Sequence, residues 1–179
     1  MKKIIAFLLL LPFFFAGCEK DDICDTSSST TPRLVLKFYN KNNISVLRAT
    51  TNLKIVGVGM GDNFLPNQSG GATWNDTVVY IPLRVNENST SYKLTLNADD
   101  GDISNDKTDI LEINYRRNNV YISRACGFKT LYDLFGDPLK NAFVLNNTPN
   151  AVQGNWINTI EVLQSQINDE NEAHIKILF

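Results

Sequence analysis

The sequence predicts an all-β protein built as an antiparallel β-sandwich. Three observations carry that prediction. Short apolar segments alternate inward and outward with a period of two residues, as a strand buried on one face must. Clusters of Asn, Asp and Gly divide them, and these residues supply the backbone conformations of tight turns. No segment shows a long apolar repeat at helical spacing. About seven or eight such strands in one domain make the sandwich immunoglobulin-like. A small closed barrel is the alternative, but the irregular stretch 127–154 does not supply the matched strands a barrel needs.

The elements follow in order. "RLVLKFYN" (33–40) places Leu34, Leu36 and Phe38 on one face and Lys37 and Tyr39 on the other. "LKIVGVG" (53–59) is short and β-branched, and its glycines permit a bulge or bend. "GVGMG" is no nucleotide loop, because Asp62-Asn63-Phe64-Leu65-Pro66 follows where a helix must open. "TVVYIPLRV" (77–85) sets Val79, Ile81, Leu83 and Val85 on one face. Pro82 has no N–H to give, so this strand is an edge or is bulged. "SYKLTLNA" (91–98) turns Tyr92, Leu94 and Leu96 inward. "DILEINYR" (109–116) and "VYISRACG" (120–127) flank Arg117-Asn118-Asn119 and read as a hairpin, since Asn tolerates the left-handed backbone of a tight turn. "TLYDLF" (130–135) is expected to make one helical turn. "WINTIEVLQS" (156–165) and "AHIKILF" (173–179) form a second hairpin, with Ala173, Ile175, Ile177 and Phe179 on one face.

The amino end has a different character. Lys2 and Lys3 precede an apolar run from Ile4 to Phe15, broken only by Pro12. A membrane-spanning helix needs ~20 apolar residues, so this run fits the hydrophobic region of a signal peptide instead. Phe15-Ala16-Gly17-Cys18 resembles a bacterial lipobox, with Phe15 where Leu is favoured. Small residues let a protease reach the backbone, and the Cys18 sulfur can take up a diacylglyceryl group. Residues 1–17 are then a cleaved lipoprotein signal peptide, 18–32 a lipidated flexible tether rich in Ser and Thr, and 33–179 a single domain. Two or more acyl chains hold a protein stably on a membrane where one does so only marginally. Lys20, Asp21 and Asp22, directly after Cys18 and Glu19, resemble the export signal of surface lipoproteins in Bacteroidota. The expected address is the outer membrane, lipid-anchored and facing the outside, with the periplasmic leaflet as the alternative.

Charge and cysteine content narrow the chemistry. The 179-residue chain carries a net charge of −2, with 43% hydrophobic residues. Removal of residues 1–17 takes two lysines and leaves −4, which provides no electrostatic basis for binding nucleic acid. With Cys18 lipidated, Cys24 and Cys126 remain, either bonded in the oxidising envelope or as two separate thiols. A bond would close a loop of about a hundred residues, for which the chain-entropy model gives ~4.7 kcal/mol.

Few residues suggest a site. Asp99, Asp100, Asp102, Asp106 and Asp109 crowd one loop, and Asp100, Asp102 and Asp106 are spaced like the first ligands of a calcium loop. The pattern then fails, with Asn105 where Gly belongs and Leu111 where Glu belongs. Calcium is the only cofactor these residues suggest; otherwise none is expected. Tyr115, Arg116, Arg117, Tyr121 and Arg124 form a candidate interaction patch, since Arg and Tyr are favoured at interface hot spots. Cross-strand pairing on a solvated sheet face accounts for them better. His174, the single histidine, lies on a strand facing away from the apolar side. No nucleophile elbow and no metal-spaced cluster occurs, so the chain is expected not to be an enzyme.

Together, "CEKDDIC", "TPRLVLKFYN", "TNLK", "INYRRNNVYISRACGFKT" and "NEAHIKILF" resemble a family of uncharacterised Bacteroidota lipoproteins with a domain of unknown function. The likeness runs over nearly the whole mature chain. It implies the anchor at Cys18 and the recurrence of Cys24 and Cys126, and it suggests an outer-membrane β-barrel protein as partner. It transfers no catalytic residue. The leading expectation is therefore a non-catalytic, envelope-anchored lipoprotein that binds another cell-envelope protein. A surface glycan-binding module using Trp74, Trp156 and the tyrosines is the alternative, and a hydrolase on the same scaffold comes last.

Overall fold

In the computed structural model of the protein, Cys24 and residues 30–61, 63–136, 141–148 and 154–179 are described. The lipobox, Cys18, and the Lys20, Asp21 and Asp22 segment lie outside them. The described chain is all-β and holds no helix. Its described residues divide into a main unit, within 31–118 and 130–179, and a smaller one that holds Cys24, Thr30 and residues 119–129.

Thirteen strands are present among the described residues: β1 (Leu34–Asn40), β2 (Asn43–Leu47), β3 (Leu53–Gly57), β4 (Thr73–Trp74), β5 (Val78–Ile81), β6 (Ser89–Leu96), β7 (Lys107–Asn114), β8 (Arg116–Ser123), β9 (Gly127–Asp133), β10 (Phe143–Leu145), β11 (Thr159–Val162), β12 (Gln166–Ile167) and β13 (Ile175–Leu178). The count exceeds seven or eight because several are two- to four-residue pieces between bends. They form one sheet ordered β11-β13-β1-β2 with β5 beside β1, a second ordered β10-β7-β6-β3-β4, and a third ordered β12-β9-β8. Among the strand pairs with a defined register, all are antiparallel but one: β13 lies parallel to β1, Leu36 beside Ile175 and Phe38 beside Ile177.

Alternation explains the packing. Leu34, Leu36 and Phe38 of β1, Ile55 of β3, Val79 and Ile81 of β5, Leu94 of β6 and Leu111 of β7 are fully buried in one core shared by the first two sheets. That is the expected arrangement of a sandwich, with inner faces interdigitating and polar faces outward. Val85 departs from the expectation: β5 stops at Ile81, the chain bends at 85–88, and Val85 is exposed.

Two local expectations are corrected. Residues 109–116 and 120–127 do not pair as a hairpin. β7 lies between β6 and β10, β8 lies beside β9, and only Tyr115 separates β7 from β8. The buried Tyr115 makes a corner, its N–H donating to the Asn88 carbonyl at 3.0 Å. The Arg117-Asn118-Asn119 segment therefore runs inside β8. Residues 130–133 of "TLYDLF" are strand, not helix, because β9 pairs with β12, Asp133 opposite Gln166 and Tyr132 opposite Ile167. The C-terminal hairpin forms as read, with Thr159–Val162 antiparallel to Ile175–Leu178.

His174 is also corrected. It is 1% exposed, not a surface residue. Its Nδ1 accepts the Val35 N–H at 3.0 Å, while its own N–H donates to the Val35 carbonyl at 3.0 Å. The ring must be neutral at Nδ1 to accept. Burial holds its pKa below the ordinary 6.5, while the charges of Asp169 and Glu170 and the Asp169 backbone work the other way. Acid therefore protonates the unfolded chain first. The His174 contribution to stability is complete above about pH 6.5 and is lost as the pH falls below it. Glu170, hydrogen-bonded and ion-paired to Arg33 at 2.6 Å, is held below its ordinary 4.5, so its contribution is lost only at lower pH. Urea midpoints should fall between pH 7 and pH 5, and this slope should flatten in His174→Gln. Equal slopes in the two proteins would contradict the assignment.

In the smaller unit, Cys24 and Cys126 are joined, with Sγ–Sγ 2.12 Å and Cα–Cα 5.0 Å across 102 residues of sequence. Tyr121 and Phe128 meet edge to face at 5.3 Å.

Candidate functional site

The best-organised local chemistry of the main unit gathers on residues 82–88. Pro82 ends β5, so the carbonyls that follow have no strand partner and must be satisfied otherwise. Three buried tyrosines from different elements do this. Tyr92 of β6 donates its hydroxyl to the Pro82 carbonyl, Tyr132 of β9 donates to Leu83 at 3.1 Å, and Tyr115 donates to Arg84 at 3.0 Å. Thr90 Oγ1 meets the Tyr115 hydroxyl at 2.6 Å and accepts the Arg84 N–H at 2.9 Å. Tyr115 and Tyr132 pack edge to face at 5.0 Å. Burial raises the pKa of all three phenols, that of Tyr132 to about 12. They are permanent donors at any physiological pH and act as structural pins.

Beside these pins lies a polar cleft of about 290 Å³. Its geometry follows from strand register. Gln166 sits opposite Asp133, so both project from one face of the third sheet. Leu131, two residues from Asp133 on β9, shares that face, and Asn168, directly after β12, lines the same cleft. Ile167 and Tyr132 point to the other side and are buried. From β8, Arg116 joins the outward set, its Nη2 lying 3.4 Å from Asp133 Oδ2, and Asn118 lines the same cleft. Asp133 is itself fixed, because its Oδ1 accepts the Phe135 N–H at 3.1 Å. Gly136 lies close to the base of Arg116: a Cβ there would overlap the Arg116 Cβ. Neighbouring Arg117 also borders the cleft and donates to the Val85 carbonyl at 2.6 Å and to Asn88 Oδ1 at 2.8 Å.

A second exposed feature is the arm formed by residues 41–49. All five residues of β2 are exposed, and so are Lys41, Asn42, Arg48 and Ala49. β2 is the edge of its sheet and matches β1 only at Leu47 opposite Tyr39 and Asn43 opposite Asn40, with a register shift between them. Ile44, Val46 and Leu47 are 54%, 48% and 44% exposed. Edge strands are normally blunted by charge, proline or a cover. This one presents aliphatic side chains, with cations at its two ends.

The residues singled out from sequence are distributed unevenly. Arg116 and Arg117 reach the cleft. Tyr115 does not belong to any surface patch, being 2% exposed and spent on the Arg84 carbonyl. Tyr121 and Arg124 are exposed in the smaller unit. Asp100, Asp102 and Asp106 are not gathered into a calcium cage. Asp100 accepts the Asp102 N–H and the Asn105 side-chain amide, and Asp102 accepts the Ser104 N–H and hydroxyl. Those bonds, the Ser104 hydroxyl first, hold the Asp102 pKa below its usual range. Among the described residues no group of three or more His, Cys, Asp or Glu is placed to hold a metal ion. Asp109, counted with that loop from sequence, is instead a fully buried residue of β7. Trp74 and Trp156 are 2% and 8% exposed and donate their indole N–H groups to the Leu65 and Leu94 carbonyls. Neither offers a ring to a sugar. Asn118 was read as a turn residue, whereas Asp133, Gln166 and Asn168 carried no sequence signal, because only the pairing of β9 and β12 brings them to the cleft.

Fold and surface together define, among the described residues, a small all-β sandwich with an exposed aliphatic edge and a polar cleft. Residues 52–179 match the model of the Family of unknown function (DUF6452), and the chain belongs to that family. No curated protein and no solved structure matches it.

Proposed function

We propose that this protein is a lipid-anchored, non-catalytic component of the Bacteroidota outer membrane that binds another envelope protein. The lipobox ending at Cys18 and the acidic segment after it support the anchor and its outward face. The observation that carries protein binding is the β2 arm. Exposed aliphatic residues on an unpaired edge favour strand addition or apolar contact with a second chain. A partner in the same membrane, such as an outer-membrane β-barrel protein, suits a domain held close to the bilayer by its tether. His174 and three buried tyrosines serve the fold: the His174 lone pair accepts from Val35, and the Tyr92, Tyr115 and Tyr132 hydroxyls donate to backbone carbonyls.

The test uses the full-length protein, cross-linked in cells and recovered from detergent-solubilised envelopes. A discrete envelope protein should be captured by the natural chain and lost, by at least about tenfold, in Val46→Glu, since a buried unpaired charge at an interface costs well over 1.4 kcal/mol. Val46 is half-exposed, so the variant should fold. Equal capture by both proteins would overturn the reading.

A further inference from the structure

We propose that the outward face of the third sheet is a binding site for an extended acidic peptide segment, with Arg116 receiving a carboxylate. The inference rests on the reading that the partner is a protein, and it adds a second, polar recognition site to the arm.

Unspent hydrogen-bonding capacity points to this ligand. The exposed side-chain amides of Asn118, Gln166 and Asn168 make no hydrogen bond to any described residue. Each offers donors and an acceptor, the complement of a peptide group. Arg116 spends a single long contact on Asp133, leaving most of its planar donor fork for a carboxylate. Two arginines line the cleft against one carboxylate, a local positive excess on a protein whose net charge is negative, and Arg116 is the one whose guanidinium lies by Asp133.

Shape and rigidity agree. The cleft holds about 290 Å³, room for one or two residues and not for a large cofactor. Its floor is pinned through Tyr132 to Leu83, and the base of Arg116 packs closely on Gly136. Pre-formed donors cost a ligand little ordering. A sugar acid would also suit the arginine, but sugars favour an open aromatic face. The aromatic residue lining this cleft, Tyr132, is 1% exposed. The lining therefore favours peptide over glycan.

The experiment is fluorescence anisotropy of a dye-labelled hexaglutamate peptide titrated with the full-length protein in detergent. Hexalysine and trigalacturonate serve as comparison probes. Hexaglutamate should bind, weaken as salt is raised, and lose about tenfold or more in affinity to Arg116→Glu. Gln166→Ala with Asn168→Ala should weaken it severalfold. Both changes fall on exposed side chains, and the urea midpoint of each variant confirms folding. No binding, or equal binding by Arg116→Glu, would overturn the proposal. Tighter binding of trigalacturonate than of hexaglutamate would overturn the peptide assignment. Val46→Glu should leave peptide binding unchanged, so failure of the cleft and failure of the arm are read separately.

Discussion

Replacing Asp109 by alanine is expected to cost at least about 3 kcal/mol of folding stability. The residue is a carboxylate with no exposed surface, and burying a charge is costly unless hydrogen bonds satisfy it. Four do. Asp109 Oδ1 accepts the Asn155 N–H at 2.6 Å and the Asn146 side-chain amide at 2.8 Å; Oδ2 accepts the Trp156 and Ile157 N–H groups, each at 2.9 Å. One side chain of β7 thus organises the turn that delivers Trp156 to the core. Hydrogen bonds to a charged group contribute about 1.5–3 kcal/mol each, and alanine also leaves buried donors without acceptors. Asp109→Asn should do little better, because the amide –NH2 it introduces, however turned, faces two N–H donors. Gly154 belongs to the same unit: a Cβ there would overlap the carboxylate. Gly154→Ala should therefore be strongly destabilising alone and much less so in the Asp109→Ala background, a non-additivity that double-mutant urea curves can read. A loss below about 1 kcal/mol for Asp109→Ala would show that the carboxylate does not hold the turn.

Phe179→Ala is expected to cost about 3–5 kcal/mol, the range for truncating a buried aromatic side chain. Phe179 is 4% exposed and meets Phe38 edge to face at 6.0 Å and Trp156 at 5.4 Å. Its N–H donates to the Tyr39 carbonyl at 3.1 Å, and its carbonyl oxygen accepts from Lys41 N and from Arg48 Nη1 at 2.8 Å. The Arg48 guanidinium also lies 4.3 Å from the ring centre. The ring thus fills the core beside β1. Domains are stable by only about 5–15 kcal/mol, so the variant should lose a large share of the total. Leu163→Ala, at a half-exposed position, is the control and should change stability by no more than about 0.5 kcal/mol. Similar midpoints for the two variants would contradict the packing described.

The strand faces could be read from the sequence wherever both neighbours of a strand are supplied by alternation alone. Leu34, Leu36 and Phe38, and likewise Tyr92, Leu94 and Leu96, are buried as their period requires. The reading failed where a single residue redirects the chain. Tyr115 fits the alternation of β7 and gives no sign that it turns a corner onto the Asn88 carbonyl. The asparagines after it carry turn chemistry but sit within β8, where strand pairing overrode local preference. Asp109 was hidden by composition, one carboxylate among five in a polar stretch, because its partners, Asn146 and residues 155–157, lie 37 to 48 residues on. His174 misled for a related reason. Its polarity and its place in the alternation set it outward, but β1 lies alongside and supplies the Val35 N–H that its ring accepts. The arm escaped notice because "KNNISVLR" alternates like any half-buried strand. Of the cleft, Arg116 and Arg117 drew attention by type, while Asp133, Gln166 and Asn168 arrive from strands whose pairing no local pattern announces.

The central claim is that the β2 arm meets another envelope protein. Placing a photo-reactive side chain at position 46 of the full-length protein in intact cells, and an identical one at the exposed Ile103 site, asks that directly. Irradiation should yield one discrete adduct from position 46, carrying peptides of a single envelope protein, and none of that species from position 103. The same adduct pattern from both positions, or no adduct from position 46, would contradict it.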